Sequence, residues 1–139
     1  MISYFSENIK IPTISRRKTS AWIRLVASRY NRKIGEIAYI FCDDKKILQI
    51  NSQYLKHNYY TDIITFDYSE NNTVSGDIFV SVSTVESNSK KFGVSLDEEL
   101  HRVIIHGILH LCGQNDKTPE EQAQMRTEED EALKSRLCD

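Results

Sequence analysis

The sequence lacks the features that mark several classes of protein. No stretch approaches the roughly 18–20 consecutive apolar residues that a membrane-spanning helix needs, so we expect no membrane partner. No basic segment followed by an apolar run opens the chain, so we expect no secretory signal and a cytoplasmic location. The three cysteines are an odd number at wide spacings, which is typical of reduced thiols and argues against an iron–sulfur cluster or an all-thiolate zinc site.

Length and charge set further bounds. A chain of 139 residues with 40% hydrophobic content, two prolines and five glycines predicts one domain over residues 1–139, with a real core and no long linker. The net charge of −2 does not by itself indicate a nucleic-acid partner. Residues 1–70 hold 11 basic and 7 acidic side chains, whereas residues 71–139 hold 7 and 13. If the partner is RNA, the first half is therefore expected to bind most of its phosphates.

The most informative stretch is an apolar run over residues 100–111 that contains two histidines. His106 and His110 are four residues apart, so in a helix they point the same way, one turn above the other. Gly113 can adopt a positive φ and end the helix, which lets the chain turn back and bring Asp116 toward the same point. This pattern indicates a metal site formed by His106, His110 and Asp116. The alternative is one core histidine and one surface histidine.

Three protein ligands would leave a coordination position open for water, which is the arrangement of catalytic metal sites. Zn²⁺ is the expected ion, one per chain, with Mn²⁺ or another divalent ion as the alternative. The reactive group would then be a metal-bound water, and no side chain in the sequence is identified as its general base.

The spacing around the histidines is similar to that of the metzincin peptidases, His-Glu-x2-His-x2-Gly-x2-His, but Gly107 stands where those enzymes carry their general base. A glycine at that position is found in the YbeY family, whose motif is His-Gly-x-Leu-His-Leu-x-Gly-Tyr-Asp-His. Residues 106–113 resemble this motif closely. Gln114, Asn115 and Asp116 replace its last three residues, so an aspartate stands where the family has its third histidine.

Residues 51–66 resemble a second YbeY segment, Leu-Asn-x2-Tyr-Arg-x2-Asp-x-Pro-Thr-Asp-Val-Leu-Ser-Phe-Pro. The positions that match in register are Asn51, Tyr54, Thr61, Asp62 and Phe66. Leu55 replaces the family's arginine, and Lys56 and His57 are candidates for the missing phosphate contact. Thr61 and Asp62 have an alternative interpretation, as a turn or cap that positions the next strand. Gly76-Asp77-Ile78 provides a third match.

The resemblance implies a single-strand-specific, metal-dependent endoribonuclease that acts in ribosomal RNA maturation and ribosome quality control. Its implied partners are single-stranded or ribosomal RNA and the small ribosomal subunit or its assembly factors. Two alternatives stay open. One is a metal-binding ribosome-biogenesis factor with little or no nuclease activity, and the other is a different zinc-dependent hydrolase, including an atypical peptidase, against which Gly107 argues.

Apolar periodicity predicts the element order β, α, β, α, β, β, α, α, α. This order predicts a single α+β domain, in which about five helices pack on a small mixed sheet of about four strands and the metal site lies at the end of a central helix. We also expect a break at Gly35, a helix N-cap at Ser83 or Thr84, an exposed His101 and a solvated face along residues 128–131.

Overall fold

A computed structural model of the chain describes residues 1–54 and 61–137. The elements follow the predicted order, and the prediction of a single α+β domain with five helices on a four-stranded mixed sheet is confirmed. Their bounds are β1 (Ile2–Ser6), α1 (Arg16–Ser28), β2 (Lys33–Cys42), α2 (Asp44–Tyr54), β3 (Ile63–Asp67), β4 (Thr73–Ser81), α3 (Val82–Phe92), α4 (Leu96–Leu111) and α5 (Pro119–Leu137). Across the two described ranges, no helix is both long and apolar enough to cross a bilayer.

The sheet has the strand order β1-β2-β4-β3. β1 pairs parallel with β2, and β2 pairs parallel with β4, whereas β3 pairs antiparallel with β4. The antiparallel pair forms a hairpin that turns at Asn71, where φ is 55°. The sheet is therefore mixed because a single hairpin adds an antiparallel edge strand to a parallel core.

Successive strand residues point to opposite faces of the sheet, and they pack into two separate apolar clusters. On one face, β2 and β4 contribute Tyr39 and Ile78 to the main cluster, which also takes side chains from α1, α3, α4 and α5. On the other face, Ile64 and Phe79 pack with Ile47 and Ile50 of α2. The sheet thus lies between α2 and a layer of four helices.

Helix α5 packs against α1 and completes the main apolar cluster. The indole Nε1 of Trp22 donates a hydrogen bond of 2.8 Å to the carbonyl of Ala132, and both residues are buried. Met125 is buried on the same helix. Trp22 is therefore a core residue whose polar atom has a partner on α5.

Helix α4 lies in the middle of the helical layer and approaches the sheet closely. A Cβ atom built on Gly107 would lie 3.1 Å from side-chain carbons of both Ile63 and Ile78. The absence of a side chain at this position therefore lets α4 pack directly against β3 and β4. The Ser95 hydroxyl caps the start of the helix by accepting from the Glu98 backbone N–H at 3.0 Å.

Two local expectations are wrong. Gly35 does not break the chain, because β2 begins at Lys33 and accommodates an irregular register between Ile34 and Ile37. The N-cap of α3 is Ser81, whose hydroxyl accepts from the backbone N–H of Thr84 at 3.3 Å. The last residue of β4 caps α3 because the strand runs directly into the helix without a loop.

His101 is also placed differently from the expectation, since it is only 2% exposed. Its ring centroid lies 5.9 Å from that of Trp22, and its Nδ1 hydrogen-bonds the carbonyl of Asp97 at 2.8 Å. Lys18 and Arg136 line the same cavity. The ring is buried because α1 and α5 cover the N-terminal half of α4, which spacing along α4 alone does not indicate.

Burial lowers the pKa of His101, and the nearby Arg136 adds to this effect, while the carbonyl and carboxylate of Asp97 partly oppose it. The unfolded chain therefore binds this proton more readily than the folded chain. The neutral ring stabilises the fold above a pH of about 6.5, and this contribution is lost as the pH falls below that value. We expect His101→Phe to reduce the fall in unfolding free energy between pH 7 and pH 5, measured by urea denaturation in EDTA. An equal fall in unfolding free energy over this pH range for the two chains would contradict this.

Candidate metal centre

The C-terminal half of α4 presents two histidines to one side. His106 and His110 are both partly buried, and their ring centroids lie 4.6 Å apart at an interplanar angle of 80°. Their helical spacing of four residues sets this proximity, while Ile108 and Leu109 between them are buried in the main apolar cluster. Cys112 does not join them, because it is buried in the main apolar cluster.

The chain then turns back at Gly113, where φ is +103°, a value that strongly favours glycine. After this turn, Oδ2 of Asp116 lies 3.2 Å from Nε2 of His110 and 3.4 Å from Nε2 of His106. One ligand atom from each of the three residues lies within 4.8 Å of the other two. The structure thus brings together the three side chains singled out in the sequence.

These distances fit a bound transition-metal ion. Two ligand atoms each about 2.0–2.1 Å from the same tetrahedral ion would lie about 3.4 Å apart. Both distances from Asp116 to the histidine nitrogens are close to this value. Two imidazole nitrogens and one carboxylate oxygen are also a donor set that divalent zinc accepts. The donor set and both Asp116 distances therefore fit such an ion.

Glu129 of α5 does not lie on the solvated face that the sequence predicts for it. The run over residues 128–131 was expected to be solvated, but Glu129 is only 6% exposed, and its Oε2 lies 2.6 Å from Nδ1 of His106. A signal was present in the spacing: Glu129 is four residues after Met125 and three before Ala132, both of which are buried. It therefore shares their face of the helix and points inward.

A partly buried arginine holds the other side of the Glu129 carboxylate. Arg102 donates one hydrogen bond of 2.8 Å to Oε1 of Glu129 and a second of 2.7 Å to Oδ1 of Asp130. Burial alone would lower the pKa of His106, but the hydrogen bond and charge of Glu129, with Asp62 and Asp116, raise it above its usual range.

A cavity of about 220 Å³ lies beside His106. Its lining includes the acidic residues Asp62, Glu99 and Glu129 and two arginines, one of which is Arg102. Burial raises the pKa of both Asp62 and Glu99. The cavity wall is therefore a mixed-charge surface, with acidic groups next to the histidines.

Of the remaining candidate residues, some lie outside the described residues, and Asp62 lies beside His106. Lys56 and His57 lie outside the described residues, as does Leu55, so the expected phosphate contact stays a prediction. Asp62 directly precedes β3, and its carbonyl accepts a hydrogen bond of 2.9 Å from the backbone of Ser81. Its backbone thus helps pair β3 with β4, as the structural interpretation of Thr61 and Asp62 expects, while its carboxyl group lines the cavity beside His106.

Comparison with known proteins identifies close relatives. The sequence model of the family described as Endoribonuclease YbeY matches residues 2–136. The chain is 58% identical over 135 residues to the Endoribonuclease YbeY of Bacteroides fragilis, which covers 97% of each chain. It is 55% identical to the protein of the same name from Bacteroides thetaiotaomicron, over 97% of this chain and 98% of the relative.

A solved structure has the same fold. The solution structure of a Thermotoga maritima protein aligns with a TM-score of 0.63, covering 97% of this chain and 91% of the other, at 22% sequence identity. The architecture of the sheet and helices is therefore shared by a chain of quite different sequence.

Proposed function

The chain belongs to the YbeY family, and on that premise we propose that it is a single-strand-specific endoribonuclease whose activity depends on a divalent ion held by His106, His110 and Asp116. The observation that carries the proposal is the convergence of both histidine Nε2 atoms on Oδ2 of Asp116, at 3.4 and 3.2 Å. In a protein whose relatives are named endoribonucleases, this cluster is the group of side chains best suited to phosphodiester hydrolysis.

The bound ion would supply an activated water and a positive charge to offset the charge that develops on the phosphate. The protein's own groups orient and confine the reaction. His106 and His110 are fixed on one side of a rigid helix, and Asp116 reaches them from the turn that Gly113 makes possible.

We propose Zn²⁺ as the native ion, with one per chain. A carboxylate in place of a third histidine reduces the formal charge of the loaded site from +2 to +1. The harder oxygen ligand also makes Mn²⁺ a stronger competitor than it would be at a three-histidine site. Asp116→His is thus expected to shift preference toward Zn²⁺.

Membership of the family also suggests the substrate and the cellular setting. We propose that residues 1–139 act as one metallohydrolase domain on single-stranded segments of ribosomal RNA in the cytoplasm, together with the small ribosomal subunit or its assembly factors. The basic excess of residues 1–70, which hold 11 basic and 7 acidic side chains, supports this, because basic side chains can bind phosphates even in a chain of net negative charge.

The proposal is tested by the metal content and cleavage activity of the untagged native chain. We expect close to one Zn²⁺ per chain by inductively coupled plasma mass spectrometry. Cleavage of a labelled single-stranded RNA should fall at least about 100-fold after dialysis against EDTA and return when Zn²⁺ or Mn²⁺ is added. A double-stranded RNA of the same sequence should be cut far more slowly.

Three results would count against this function. A chain that takes up neither Zn²⁺ nor Mn²⁺ would leave the histidines without a metal role. Cleavage of casein in place of RNA would favour a peptidase. Binding to ribosomal subunits without RNA cleavage under any metal condition would favour a non-enzymatic assembly factor.

A further inference from the structure

The contact between α5 and the first histidine of the site suggests a role for Glu129. We propose that Glu129 is a positioning residue: its carboxylate fixes the orientation and tautomer of His106, so that Nε2 faces Asp116 and His110. The inference rests on the proposed function, because it concerns the same metal site. It adds a residue from a different helix, 23 positions away in sequence.

The tautomer follows from hydrogen-bond chemistry. A neutral imidazole has one N–H donor and one acceptor nitrogen, whereas an ionised carboxylate only accepts. When the ring is neutral, the distance of 2.6 Å between Oε2 of Glu129 and Nδ1 of His106 therefore places its one proton on Nδ1. This leaves the lone pair on Nε2, the nitrogen that lies 3.4 Å from Oδ2 of Asp116. A histidine held in this way is ready to bind a metal without moving a proton or turning its ring.

Glu129 is itself held firmly enough to orient another side chain. Its Oε1 accepts from Arg102 at 2.8 Å, so each carboxylate oxygen has its own partner. Arg102 and His106 are four residues apart and therefore lie on the same side of α4. The arginine also bonds Asp130, which ties a second α5 residue to α4. A buried carboxylate with partners on both oxygens has little freedom to rotate.

Geometry separates this role from that of a fourth ligand. The cluster whose ligand atoms approach within 4.8 Å contains His106, His110 and Asp116, and Glu129 is not part of it. Glu129 contacts Nδ1, whereas Asp116 contacts Nε2, the nitrogen across the ring. It therefore acts on the metal only through His106, like the carboxylates behind many zinc-bound histidines.

The first test compares Zn²⁺ affinity among Glu129→Ala, Glu129→Gln and the native chain, by competition with a chromogenic chelator. We expect the alanine variant to bind about 10- to 100-fold more weakly. The glutamine variant should also bind more weakly, because its one amide oxygen can accept from Arg102 or from His106 but not from both. Glu131→Gln is the matched control, since it removes the same charge from an exposed position of α5 and should leave the affinity unchanged.

The second test reads the tautomer directly. In the metal-free native chain at pH 8, the imidazole ¹⁵N signals of His106 should show the proton on Nδ1. The preference should disappear in Glu129→Ala, weaken in Glu129→Gln and persist in Glu131→Gln, a pattern that a purely structural loss would not produce. A native His106 with its proton on Nε2 would overturn the inference, even if the alanine variant fails to fold.

Failure of the proposed function and failure of the proposed role of Glu129 would give different results. If the native chain binds no divalent ion, the proposed function fails, and the role of Glu129 toward the metal fails with it. If the native chain binds Zn²⁺ and a folded Glu129→Ala binds it equally tightly, the role of Glu129 is wrong and the metal site stands.

Discussion

The Gly107→Glu variant is expected to lose its native fold rather than to gain a general base. In the metzincin spacing, a glutamate occupies this position, so the substitution tests whether the chain is a peptidase that has lost one residue. A Cβ at position 107 would already meet Ile63 and Ile78 at 3.1 Å, and a longer side chain would have to enter the layer between α4 and the sheet. The added carboxylate would thus face the core and not the histidine cluster.

The expected loss is large because two penalties act together. Overpacking forces α4 away from β3 and β4. A carboxylate among isoleucine side chains has no partner to compensate for its lost hydration, which costs several kcal/mol. Since domains of this size are stable by only about 5–15 kcal/mol, the variant should be mostly unfolded or insoluble. Circular dichroism and a urea titration would measure this.

Two controls separate size from charge. Gly107→Ala adds only a Cβ, and the better helix propensity of alanine, worth about 1 kcal/mol, offsets small shifts of the isoleucine methyl groups. It should fold with nearly native stability. Leu96→Glu places the same new charge at an exposed position of α4 and should also fold. A well-folded Gly107→Glu chain that cleaves peptides would overturn this account and revive the peptidase alternative.

The His110→Ala variant should lose both the bound ion and RNA cleavage. His110 is partly exposed at the end of α4, so its removal leaves no large cavity, and the variant should fold. With one nitrogen ligand gone, two side chains remain to hold the ion, and the charge stabilisation it supplies is lost. We expect the single-turnover cleavage rate to fall by more than about 100-fold, with less than stoichiometric Zn²⁺ by mass spectrometry.

His101→Phe is the matched control for this experiment, because it removes a histidine from the same helix at a site remote from the cluster. It should retain native Zn²⁺ content and cleavage at pH 7.5. A His110→Ala chain that keeps full activity and stoichiometric metal would show that His110 is not a ligand. Asp116→Ala, measured alongside, tests the third ligand in the same way.

Much of this fold could be predicted because its information is local. The apolar runs before Cys42 and around Ile78 indicate strands, and the spacing of His106, His110, Gly113 and Asp116 is contained in eleven residues. These predictions needed only periodicity and the conformational range of glycine.

The predictions that are wrong concern residues at contacts or junctions between different elements. His101 is buried by α1 and α5, which cannot be inferred from its own helix alone. Glu129 is buried against α4, and its own helix indicates that it points inward but not that it meets Arg102 and His106. Glu129 shows that a charged residue within an acidic run can still point inward when its helical neighbours are apolar. Ser81 was missed as a cap because β4 and α3 join without a loop, which leaves no turn residue between them.

The contacts that α5 makes with the core form only after the other elements of the domain have been synthesised. The strands and α1 to α4 leave the exit tunnel before α5, which contributes the carbonyl partner of Trp22 and the carboxylate partners of Arg102. Until α5 emerges, the nascent chain lacks these partners for the indole and the guanidinium, which lie next to an uncovered apolar surface. Completion of the core therefore waits until α5 has been synthesised, and a ribosome that stalls before α5 will hold a chain prone to aggregation or proteolysis.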